Sequence, residues 1–167
     1  GAALSMQEMF NQTPAFNGDI STWDVSKVEN FWGMLANTEA FNSDISDWNV
    51  GHANSFGYMF FAAHVFNQDL SDWRAPNVNN LDCMFAYAPR FNQAIGNWNV
   101  SNVISMYATF AGAVDFNQDI SSWDVSHVIN FADMFHGATH FNQDLSDWDT
   151  SSATSMYAMF ADTGDFN

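Results

Sequence analysis

The pair Phe-Asn recurs at 16–17, 41–42, 66–67, 91–92, 116–117, 141–142 and 166–167, without one slip of register. Trp follows seven residues after Phe at 23, 48, 73, 98, 123 and 148. A fixed period of 25 residues restricts the chain to stacked copies of one unit, because a single unit is too small to bury its own apolar face. With each Phe as position 1, residues 1–15 supply positions 11 to 25 of a repeat. Full repeats then start at 16, 41, 66, 91, 116 and 141, and 166–167 opens another. The unbroken period makes 1–167 a single repeat domain.

Within the unit, the back half has the spacing of an amphipathic helix. In the copy that starts at Phe116, Val128, Phe131, Met134, Phe135 and Ala138 fall three, three, one and three residues apart, which is one stripe of a helix. Ser26, Ser101, Ser126 and Ser151 precede such stripes as N-caps, and Ser26 with Glu29 matches a capping box. The front half reads as a Phe-Asn-Gln-Asp turn followed by a short strand that points Ile or Leu, Trp and Val inward. The expected class is therefore α/β: a curved solenoid of 25-residue repeats, each a turn, a short parallel strand and a helix. Curvature follows because strands stack about 4.8 Å apart whereas helices need about 8–10 Å. Neither end shows a polar cap, so end-to-end self-association through the bare terminal repeats is expected.

Net charge bounds the partners. Nineteen acidic residues against three basic ones give −16, a field that repels phosphate backbones and anionic bilayers. Nucleic acid is excluded as a partner on that ground. No apolar run has the length of a membrane span, so no membrane insertion is expected. Cys83 is the sole cysteine, and it stands without a His arrangement that would activate it.

Residues that recur in every copy read as scaffold. Asn17, Asn42, Asn67, Asn92, Asn117, Asn142 and Asn167 form a ladder at position 2, suited to bonding backbone groups left open by the turn. The Trp ladder reads as core, with a sugar-stacking platform as the alternative if its rings are exposed. Position 15 alternates Ser5, Asn30, Ser55, Asn80, Ser105, Asn130, Ser155, as if packing against a neighbouring helix with a two-repeat superperiod.

Taken together, Phe116-Asn117-Gln118-Asp119-Ile120-Ser121, Trp123-Asp124-Val125-Ser126 and Met134-Phe135 resemble the roughly 25-residue surface-protein repeat of mycoplasma lipoproteins and BspA-like proteins. The resemblance runs through essentially the whole chain. It implies a leucine-rich-repeat-like solenoid, a secreted or cell-surface location, and a role in adhesion or protein interaction with a protein or cell-surface ligand. Leu35 in place of Phe, Ala94 in place of Asp, and Arg74-Ala75-Pro76 in place of Asp-Val-Ser depart from the pattern.

No catalytic constellation emerges. Every carboxylate of interest has near-identical copies, whereas acid–base chemistry needs carboxylates in different environments, so the chain reads as non-enzymatic with no cofactor. Asp19, Asp44, Asp69, Asp119 and Asp144 at position 4 read as turn residues, with a calcium-binding ladder and a calcium-dependent acidic scaffold as the alternative. His136 and His140 have the spacing of a metal pair only if a helix spans both, and surface histidines are the expected reading. Function is sought where the copies disagree. The helical wheel places the non-repeating aromatics Tyr58 and Phe61 on an outer face, with Trp32 and Tyr87 on the flanks of adjacent helices, which makes these four the candidate partner-binding residues. A carbohydrate-binding module using such rings is the remaining alternative.

Overall fold

The computed structural model describes residues 3–167. The chain winds into stacked coils, one per 25-residue repeat. Parallel single-residue bridges join position 15 of each coil to the next: Ser5 to Asn30, Asn30 to Ser55, Ser55 to Asn80, Asn80 to Ser105, Ser105 to Asn130 and Asn130 to Ser155. Among the described residues there is no helix, and strand pairing goes no further than these bridges. The expected α/β solenoid of strand and helix, and with it the leucine-rich-repeat likeness, is overturned. So is the reason given for curvature, which needed helices on one side.

Backbone conformation explains the difference. Positions 18 and 22 of every coil have positive φ, for example Tyr58 at 57° and Ala62 at 53°, Cys83 at 54° and Tyr87 at 57°, Asp133 at 56° and Gly137 at 69°. A left-handed residue at every fourth position breaks a right-handed helix. The segment instead closes as consecutive tight turns: Met134 N–H donates to Phe131 O at 3.1 Å, His136 to Asp133 at 3.1 Å and Ala138 to Phe135 at 2.9 Å. The residues between them donate to the next coil, Phe131 to Ser155 O, Asp133 to Tyr157 O, Phe135 to Met159 O and Gly137 to Ala161 O, all at 2.8–2.9 Å. Every N–H is thereby satisfied in turn, half within the coil and half along the stack. These cross-coil bonds offset the cost of left-handed non-glycine residues.

The front half stacks by side chains. Asn42 N–H donates to Asn17 Oδ1, Asn67 to Asn42, Asn92 to Asn67, Asn117 to Asn92, Asn142 to Asn117 and Asn167 to Asn142, at 2.9–3.1 Å. Gln93 and Gln143 Nε2 add bonds to the Oδ1 and backbone O of Asn67 and Asn117. Each indole N–H from Trp48 onward reaches the position 5 carbonyl of the preceding coil, as Trp73 does to Ile45 O at 3.1 Å. Position 15 does not face a helix; its Asn Oδ1 or Ser Oγ accepts the N–H two residues on, as Asn30 does from Trp32 at 2.8 Å.

Aromatic columns fill the interior. Successive position 1 rings stack at 5.8–6.1 Å, from Phe16 to Phe166. Phe60, Phe85, Phe110, Phe135 and Phe160 form a second column at 5.5–5.8 Å. Parallel-displaced rings at this spacing add attraction beyond the area they bury. Trp48, Trp73, Trp123 and Trp148 are buried, and Trp23 and Trp98 pack partly buried against the same core.

Candidate binding groove

Two kinds of polar residue differ sharply in what surrounds them. The position 4 carboxylates are committed to their own turns: Asp19 Oδ1 accepts the Ser21 N–H at 3.0 Å and hydroxyl at 2.7 Å, and Asp119 accepts from Ser121 at 2.9 and 2.7 Å. Asp44, Asp69 and Asp144 accept the N–H of Ser46, Ser71 and Ser146 in the same way. Asp24, Asp124 and Asp149 repeat the arrangement at position 9 with Ser26, Ser126 and Ser151. Donation to the ionised form holds these carboxyls below their ordinary value. For Asp19, Asp24, Asp119, Asp124 and Asp149 the serine hydroxyl is the larger cause, followed by its N–H. For Asp44, Asp69 and Asp144 the order is reversed.

Lowered folded-state values stabilise the fold above the ordinary carboxylate range, and that contribution is lost as pH falls through the folded values. The melting temperature should hold from neutral pH to about pH 5 and decline below about pH 4. Asn49 and Asn99 already make the same turn at position 9, to Gly51 and Ser101. Replacing Asp24, Asp124 and Asp149 with Asn should therefore blunt the acid decline without disturbing the fold. An undiminished decline would show that these turns do not carry it.

The aromatics that break the repeat lie together. Trp32 and Tyr58 rings are 4.6 Å apart, Tyr58 and Phe61 5.6 Å, and Phe61 meets Tyr87 edge-on at 5.6 Å. All four expected residues thus form one strip across three coils. They come from positions 17, 18, 21 and 22, at and beside the two left-handed residues of each coil. Trp32 lies over Gly57, where a Cβ would come within 2.5 Å of the ring. Tyr87, 57% exposed, lies over Gly112, where a Cβ would meet the ring at 2.9 Å. Each ring rests on a glycine of the next coil, at the same repeat position, because only a missing side chain leaves it room.

Beyond the strip runs a groove of about 520 Å³. Tyr58, Phe61, Tyr87 and Tyr107 wall it, and Asp133 and His136 close its far end. Its floor is made of small residues: Cys83, Ala86, Ala108 and Ala111 form an apolar cluster separate from the main core, with Tyr58 and Phe61 packed against it. Cys83 is a packed floor residue, 4% exposed, and burial pushes its thiol up to about 11. Tyr58 is raised too, first by the Cys83 thiol beside its hydroxyl and then by burial. Burial and the Asp133 charge raise Tyr107. His136 Nδ1 lies 3.2 Å from Asp133 Oδ1 and its Nε2 3.5 Å from Asp162 Oδ2, while His140 lies 3.8 Å from Asp115. The two histidines therefore face different carboxylates instead of pairing.

Tyr107 and Asp133 were not among the candidates read from sequence, and His136 was read there as a surface histidine. Tyr107 occupies position 17, as Trp32 does, and comparing that column alone would have exposed it. A second hollow, of about 350 Å³, opens at the last coil between Leu145, Trp148, Met159, Phe160 and Phe166. Those repeat positions are filled by a neighbour in interior coils, so this hollow is bare stacking surface.

A family model described as "Mycoplasma protein of unknown function, DUF285" matches residues 2–93 and again residues 71–167. No curated protein and no solved structure matches.

Proposed function

We propose that this chain, which belongs to the DUF285 family of Mycoplasma proteins of unknown function, is a non-enzymatic scaffold that binds a protein segment in the groove walled by Tyr58, Phe61, Tyr87 and Tyr107. The observation that carries this reading is the second apolar cluster. An interior of stacked Phe and Trp already stabilises the coils, so aromatics gathered outside it on a small-residue floor have no structural task left. A groove of this size, mostly apolar with a few polar groups at one end, suits side chains of a bound segment. Tyr is also the residue type enriched where protein surfaces meet. The resemblance to surface-protein repeats supports placing the protein outside or on the surface of the cell, in adhesion or protein interaction.

The test is selection followed by mapping. A random heptapeptide display library is panned against the protein, and retained peptides are titrated into isotope-labelled protein. Backbone amide shifts should centre on Phe61, Tyr87, Tyr107 and Gly112. Shifts confined to the Asn and Asp turns of positions 2 to 11 would overturn the proposal.

A further inference from the structure

The groove's charge indicates what its ligand carries. Its polar end is Asp133 and His136, and beyond His136 stands Asp162, 3.5 Å from Nε2. Asp82 adjoins the Tyr107 wall, accepting the Tyr107 N–H at 3.0 Å and the Ser105 hydroxyl at 2.6 Å. No Lys or Arg lines the groove. Arg90 is turned to Asp115 at 3.3 Å, and Arg74 to Asp72 and to the Ser71 and Trp73 carbonyls on another part of the coil. Asp133 Oδ1 lies 3.2 Å from His136 Nδ1 as acceptor, while its Oδ2 makes no hydrogen bond among the described residues. Asp133 lines the same groove as Tyr87 and Tyr107, and its charge acts on the Tyr107 hydroxyl.

Resting on the groove as the binding site, we infer that the bound protein segment inserts an arginine or lysine side chain between Tyr87 and Tyr107, with its charged head against Asp133 and an apolar neighbour over the Cys83, Ala86, Ala108 and Ala111 floor. A ring face attracts a cation through its quadrupole, and does so more strongly where water is partly excluded. A half-buried carboxylate beside the rings adds a charge-assisted hydrogen bond. The long methylene stem of either residue packs on a floor of small apolar side chains while the head stays polar. The net charge of −16 draws such a segment in but cannot choose its seat. The seat is the groove, where acid and exposed tyrosine rings share a concave surface with an apolar floor.

Heptapeptides retained from the library supply the probe. Retained sequences should share Arg or Lys next to an apolar residue. Replacing that Arg with citrulline, its neutral isostere, should weaken binding by about tenfold or more. Asp133→Asn should weaken the arginine form by a similar factor and leave the citrulline form nearly unchanged. Tyr87→Asn should weaken the arginine form without unfolding the coil, because Asn37 holds the same repeat position at φ 56°. Retained peptides that lack a cation yet shift the groove amides would overturn the cationic ligand and leave the groove standing. Cationic peptides that ignore Asp133→Asn would overturn it as mere attraction to net charge. Peptides that never shift the groove amides would remove both the ligand and the site.

Discussion

Trp73→Ala should lower stability by about 3–5 kcal/mol, the range for removing a large aromatic from a packed interior. For a chain of this length that corresponds to a fall of roughly 6–20 °C in melting temperature. Trp73 is 2% exposed and stacks on Trp48 and Trp98 at 6.4 Å, while Phe56 tilts against it at 5.4 Å. Its indole N–H also occupies the Ile45 carbonyl of the preceding coil, which the substitution would leave open. Trp73→Phe retains a ring and loses the N–H, so it should cost less, about 1–3 kcal/mol. Trp23→Ala should cost less than Trp73→Ala, because Trp23 is only partly buried. In a nearly one-dimensional array an interior coil supports neighbours on both sides, so the cost follows the position of the coil. Thermal melts of the three variants check the order; equal losses for Trp23→Ala and Trp73→Ala would contradict it.

The period, the register and the inward residues were legible because they depend only on which side chains are apolar. The backbone path between them was not. Val128, Phe131, Met134, Phe135 and Ala138 satisfy a helical stripe, but four-residue turns that each return an apolar side chain to the interior satisfy it equally. The deciding bonds run from Asp133 to Tyr157 and from Gly137 to Ala161, between residues 24 apart, and no local spacing encodes them. Gly33, Gly112 and Gly137 at left-handed positions were a hint, weakened because Tyr58, Cys83 and Ala108 adopt the same conformation elsewhere in the stack.

The candidate site was partly legible for a different reason. Repetition makes each copy a control for the others, so Tyr58 and Phe61 stand out against Gly33 and Ala36 without knowledge of the fold. Assuming helices put Trp32 and Tyr87 on the flanks of neighbouring elements, when the turns in fact bring both onto one strip. The groove itself depended on absence: Ala86, Ala111 and Gly112 draw no notice in a sequence, yet their small size makes the floor. His136 read as a surface histidine, and only the turn between it and Asp133 sets its ring 3.2 Å from that carboxylate.

The same copies supply the most direct experiment. Tyr58→Gly, Phe61→Ala, Tyr87→Asn and Tyr107→Ala each install a residue that a sibling coil already carries at that position, namely Gly33, Ala36, Asn37 and Ala132. Since Gly33 and Asn37 hold the required positive φ, the backbone accepts the exchange. The combined variant loses only partly exposed rings, so a cooperative melt should persist within about 10 °C of the parent. Binding of library-selected heptapeptides should fall by more than about a hundredfold, as when several central aromatics leave an interface. Measured together on the one variant, an intact melt with lost binding is the expected result. Undiminished peptide binding on a folded variant would contradict the division between repeated scaffold and non-repeated site.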